Sequence, residues 1–186
     1  MVSLAQVPSD SSKTRDLEEA VIGRAIRGDE RALSHLYQRH ATHIATAVRR
    51  CLGHDAEVDD IVQETFVQGL GQLASLREPS KLRSFLMTIA VRRSYARLSL
   101  RYKLSALMSQ LFQVAPAASV PETADRAHAL FDALNAVNPR HRMAWVLHRV
   151  EGYTLPEVAN LTDSSLTTVK RWIAKVDDCV EAIDES

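Results

Sequence analysis

Arg93, Arg97 and Arg101 recur every four residues, and Tyr95 and Tyr102 are interleaved with them. That spacing puts the guanidiniums on one face of a helix. Guanidiniums beside aromatic rings suit a surface that grips a phosphate backbone and stacks on unpaired bases. The surrounding chain is free of acid: from Pro79 to Pro121 there is no Asp or Glu, while Lys81, Arg83, Arg92 and Lys103 add positive charge. A solvated basic face is the competing reading. A second basic constellation lies near the end, where Thr167 and Thr168 open a helical stretch and Lys170, Arg171 and Lys175 follow on its polar side. Short hydrogen-bonding groups at a helix start can reach base edges while neighbouring cations hold phosphates. With the short helix and turn of "GYTLPEVANLTDSS" before it, this has the form of a helix-turn-helix. Two helices packed at an angle without touching DNA would read the same way.

Little else points to chemistry. His35, His40, His43 and His54 lie near one another, but positions 40 and 43 give only i, i+3 spacing, so hydrogen-bonded or solvated roles fit better than a metal site. The acids Asp55, Glu57, Asp59, Asp60 and Glu64 lack the glycine and alternating oxygen ligands of a calcium loop. No phosphate-cradling glycine loop and no GxSxG motif occurs, so we expect no catalytic residue, no metal, no cofactor and no small-molecule substrate. Cys51 and Cys179 are far apart and form no disulfide framework, which suits a reducing cytoplasm.

These residues need helices to position them. The chain of 186 residues has 5% aromatic residues and six glycines, which leans toward an all-α protein. Leu17, Val21, Ile22, Ala25 and Ile26 form a stripe that Gly28 and Asp29 end and restart. Leu33, Leu36, Tyr37, Ile44, Val48 and Leu52 form the next, stopped by Gly53. Val58, Ile61, Val62, Phe66, Leu70 and Leu73 form a third, and a fourth helix is expected from about Lys81 to Arg101. Residues 104–125, with Pro116 and Pro121, read as a flexible linker between two small helical domains, 16–103 and 126–186, after a flexible leader at 1–15. In the second domain Ala129 to Val137, Pro139 to Val150, Thr154 to Leu161 and a last helix from Leu166 follow. Net charge is zero, yet the basic stretch, the acidic group near Asp59 and a tail of Asp177, Asp178, Glu181, Asp184 and Glu185 are segregated, as for a protein with several partners. No run of about 18 apolar residues suggests direct membrane insertion.

Taken together, the segments from about Asp16 to Lys103 and from Arg126 to Val180 resemble the extracytoplasmic-function group of bacterial RNA polymerase sigma factors. The resemblance rests on "GDERALSHLYQRH", "VDDIVQETF" and "NPRHRMAWVLHRVEGYTLPEVANLTDSSLTTVK" in that order. It implies a region 2 helical bundle and a region 4 helix-turn-helix. It also implies a contact with core RNA polymerase through Asp59, Asp60, Val62, Gln63 and Glu64. Lys81, Arg83, Arg92, Arg93, Arg97 and Arg101 would bind the start-proximal promoter element. Thr167, Thr168, Lys170, Arg171 and Lys175 would read the upstream element, and an anti-sigma protein would control the whole. Phe85, Arg92, Ala96 and Trp172 depart from the residues common in that group, which bears on promoter choice. Because acids follow Lys175, the isolated chain is expected to bind DNA poorly. A stand-alone helix-turn-helix regulator and a degenerate sigma-like adaptor are the alternatives, and the "VDDIVQETF" helix is what a regulator would not need.

Overall fold

Asp29 starts a helix as the sequence predicts: its carboxylate accepts from the N–H groups of Arg31 and Ala32 at 2.9 and 3.1 Å. Gly28 before it stands at φ 85°, and Gly53 at φ 75° closes the same helix with its N–H on the Arg49 carbonyl, both in the left-handed region that favours glycine. These breaks separate α1 (Asp10–Ile26), α2 (Glu30–Leu52) and α3 (Val58–Gly71). Short 3-10 turns at Leu73–Ser75 and Pro79–Lys81 lead into the long α4 (Leu82–Phe112). The computed structural model describes residues 10–53, 56–76, 78–112 and 133–184.

A helical turn at 133–136 precedes α5 (Pro139–Trp145), which Asn138 caps by accepting from the Arg140 N–H at 2.9 Å. The chain continues through a π-helical turn, Val146–Val150, as the sequence places it. In α6 (Leu155–Leu161) a capping box forms, with the Glu157 carboxylate accepting from the Thr154 N–H and hydroxyl at 2.8 and 2.7 Å. Last comes α7 (Leu166–Asp184). Every regular element among the described residues is helical, in keeping with the all-α expectation.

Two boundaries differ from the sequence reading. α1 begins at Asp10, inside the expected leader, and α4 runs past Lys103 to Phe112, inside the expected linker. The second has a simple cause: no proline or glycine interrupts the leucine-rich stretch after Arg101 until Pro116. The rest of the leader (1–9), the rest of the linker (113–125) and the helix start at Ala129 lie outside the described residues.

α1 to α4 form one bundle around Leu36, Ile44, Leu52, Ile61, Leu86 and Met87, while α5, α6 and α7 close a smaller one on Met143, Leu147, Val158, Val169 and Val176. The halves pack directly on each other. α4 lies against α5 and α6, α2 lies against the π turn, and the buried apolar residues form one continuous cluster. No helix among the described residues is long and apolar enough to cross a membrane.

Candidate polymerase and promoter interfaces

α3 turns one edge to solvent. Asp59, Asp60 and Gln63 are exposed there, and neither aspartate takes part in an ion pair among the described residues. Val62 does not join them: at 4% exposure it belongs to the core, because it continues the stripe of Val58, Ile61 and Phe66. In its place Val67, 71% exposed, stands beside Gln63 and lines a shallow groove with Glu64 and Gln68. Sequence reasoning missed it; the signal is its register, seven residues after Asp60 and off the buried stripe.

Glu64 and the arginine repeat meet each other. Arg93 reaches Glu64 at 2.6 Å and Arg97 reaches its other oxygen at 2.9 Å, while Arg93 also donates to Gln68 at 3.0 Å. Arg97 and Arg101 lie 3.9 and 4.0 Å from Glu57. The four-residue repeat thus runs along α3 as an ion-pair seam, facing two acids that lie about two turns apart. This corrects the expectation that Arg93, Arg97 and Arg101 form an open phosphate-gripping face. Lys81 and Arg83 remain exposed, with Lys81 on Glu78 at 2.8 Å and Arg83 on His43 at 3.0 Å. Arg92 is exposed and makes no hydrogen bond or ion pair to a described residue.

On α7, Thr167, Lys170, Arg171 and Lys175 are all exposed. Thr168 differs: it is half-buried, its N–H donating to Ser165 Oγ at 3.2 Å and its hydroxyl 2.8 Å from the same atom, so Ser165 caps the helix start and holds Thr168 there. Trp172 is not on that face either. It is buried, with the His141 ring at 5.9 Å and the Arg140 guanidinium over it at 5.9 Å. Asp177, read as the first acid of a repelling tail, accepts from Trp145 Nε1 at 2.8 Å and from Arg149 at 2.6 and 3.2 Å. The Arg149 hydrogen bonds lead in holding its carboxyl below the ordinary 3.8.

Polar contacts also bridge the halves. Arg50 meets Glu151 at 2.8 Å, and the glutamate side chain is only 5% exposed. His43 Nε2 lies 3.0 Å from Arg83 and 3.3 Å from the Tyr153 hydroxyl. Arg83 can only donate, so this nitrogen is the acceptor and the ring is neutral. Burial, then the Arg83 charge, holds the His43 pKa below 6.5. Tyr95, expected to stack on bases, is half-buried; its hydroxyl accepts from Arg140 Nε at 3.1 Å and its ring lies under the Arg140 guanidinium at 5.1 Å. Arg142, 2% exposed, donates to Asn135 at 2.5 Å. The Cys51 thiol across the seam is pushed up to about 12 by burial, so it is inert.

Comparison with known proteins adds a second line. Residues 36–101 match the family Sigma-70 region 2 and residues 127–176 match Sigma-70, region 4. The chain is 32% identical over 139 residues to RNA polymerase sigma factor CarQ of Myxococcus xanthus, covering 72% of this chain and 78% of that one. It is 29% identical over 154 residues to the ferric citrate uptake sigma factor FecI of Escherichia coli K12, covering 78% and 87%. Among solved structures, CnrH in complex with the cytosolic domain of CnrY superposes with a TM-score of 0.61 at 22% identity, covering 90% of this chain and 97% of that one. The sigma factor RpoE in complex with the anti-sigma factor NepR, from Bartonella quintana, gives 0.59 at 16% identity, covering 82% and 96%. At those identities the two structures speak for the fold.

Proposed function

Since the chain belongs to the sigma-70 family, in its extracytoplasmic-function group, we propose how its surfaces divide the work of a transcription initiation factor. Its task is to bind core RNA polymerase and direct it to promoters. Asp59, Asp60 and Gln63, with Val67 as an apolar anchor, meet the polymerase. Lys81, Arg83 and Arg92 hold the start-proximal promoter element, where unpaired bases are captured and no bond is made or broken by this chain. Thr167, Lys170, Arg171 and Lys175 read the upstream element in the duplex. Glu64 braces Arg93 and Arg97 from within, and so supports both surfaces while forming neither. The protein works in the cytoplasm and is controlled by an anti-sigma protein, a reading supported by the partners of the solved relatives.

The observation that carries the polymerase assignment is the edge of α3, where two exposed aspartates with no ion pair among the described residues stand beside an apolar side chain that is 71% exposed. A lone exposed valine is ordinary on a surface; what supports the reading is its place beside two exposed acids on the segment that resembles the family's polymerase contact. Co-purification with core RNA polymerase tests it. Asp60→Lys is expected to weaken binding about tenfold or more, because it sets a like charge against the partner's basic surface. Arg171→Gln should still bind polymerase while losing transcription from the cognate promoter. Unchanged polymerase binding by an Asp60→Lys, Val67→Lys double variant would sink the assignment.

A further inference from the structure

Between the halves lies a cavity of about 50 Å³. Arg92 and Tyr95 of α4 and Arg140 of α5 line it, with Val91, Leu161 and Thr162 at its sides and no carboxylate among its walls. Two arginines from opposite halves therefore border one small space. Arg92 has no partner among the described residues, and Arg140 spends only its Nε, on the Tyr95 hydroxyl. Its guanidinium otherwise meets the faces of Tyr95 and Trp172, which hold the group in place and leave its charge unneutralised. More positive charge stands in the same seam: Arg142 is 2% exposed, and its Nε and Nη2 have no acceptor among the described residues.

A held water needs roughly 10–15 Å³ of such volume, so this space takes about three to five water-sized groups, a range that includes the four oxygens of one tetrahedral oxyanion. Guanidiniums present donors in a planar fork that matches phosphate oxygens, and a dianion balances two of them. We infer that the cavity binds a small tetrahedral oxyanion of the phosphate class between Arg92 and Arg140, and that its occupancy ties the two halves together. Arg92 cannot serve this anion and a promoter backbone at once, so bound phosphate and promoter strand compete. Phosphate thereby favours the closed chain.

The test uses the full chain and two probes, inorganic phosphate and a short single-stranded deoxyoligonucleotide. Thermal unfolding and calorimetric titration compare sodium phosphate with sodium chloride at equal pH and ionic strength. Phosphate, and not chloride, is expected to raise the unfolding midpoint saturably, and a fluorescent pair on the two halves should report a shorter distance. Loss of one charge-assisted contact should weaken phosphate about tenfold in Arg92→Gln and Arg140→Gln. Arg31→Gln, at an exposed site on α2, should match the parent. Arg140→Gln also loosens the Tyr95 contact, so Arg92→Gln, which breaks no bond to a described residue, decides the matter. The oligonucleotide should displace phosphate and lengthen the distance between labels. No phosphate-specific stabilisation, or one undiminished in Arg92→Gln, overturns the inference. So does an oligonucleotide that binds while drawing the halves closer, since the site would then belong to the nucleic-acid backbone.

Discussion

Asp177 shows how far a side chain's partners can change its meaning. Read along the sequence it begins an acidic tail that repels DNA; in the fold, Arg149 and Trp145 claim both its oxygens. Its charge fastens α7 to the end of α5, while Asp178 and Glu181 beyond it face solvent. Asp177→Asn is expected to cost about 1–2 kcal/mol in urea unfolding, less than three buried charged bonds would suggest because Arg149 is half exposed. The pH dependence has a definite sign. The folded carboxyl titrates below its ordinary 3.8, so its stabilisation is complete above that value and fades as pH falls through the lowered one. The variant should lose this part of the acid limb of the stability curve. An equally steep acid limb in Asp177→Asn would locate the effect elsewhere.

Among elements, the close pass of α3 and α4 matters most, since it mounts the α3 edge and sets the ion-pair seam. Gly69 permits it. A Cβ there would strike the Leu86 side chain, which is fully buried and has nowhere to move. Gly71, two residues on, has nothing within 4 Å of the same added atom. The two substitutions should therefore differ in sign. Gly69→Ala is expected to destabilise by about 1–3 kcal/mol through overpacking, partly offset by its better helix propensity. Gly71→Ala should gain up to about 1 kcal/mol from propensity alone. Chemical denaturation of the pair checks this, and equal shifts would mean that α3 and α4 do not approach so closely. The helix-turn-helix depends less on a single contact, because the Thr154 capping box, the Ser165 cap and the buried Val158 and Val169 fix α6 and α7 together.

Across the whole molecule, the halves meet through polar contacts laid over an apolar seam. Arg50 with Glu151 and His43 with Arg83 and Tyr153 span the two, and the face of α4 carrying Arg92 and Tyr95 is turned toward α5 and α6. On the function proposed above, promoter capture by that face would require the halves to part, and closure would set a threshold on activity. A Glu151→Gln, Tyr153→Phe variant removes the charge and the hydroxyl without emptying the seam. It should shift the chain toward open forms, seen as a larger radius of gyration by small-angle scattering and as tighter binding of a single-stranded promoter oligonucleotide. A variant as compact as the parent, with the same affinity, would show that apolar burial alone holds the halves.

Much was legible without coordinates. Helical periodicity, the helix-ending Gly28 and Gly53 and the Asp29 cap are local, set by residues within one or two turns, so sequence determined the helices and the exposed polar side of Thr167, Lys170, Arg171 and Lys175 on α7. It also carried the ordered motifs that mark the family. What it could not set is which face of each helix meets which neighbour. An arginine every fourth residue looks alike whether it awaits phosphate or leans on Glu57 and Glu64; Trp172 and Thr168 look like groove-facing residues until α5 and Ser165 claim them. Those outcomes depend on contacts between residues distant along the chain. The tertiary structure alone decided them, because a charge or a ring acquires its role from whatever packing brings within reach.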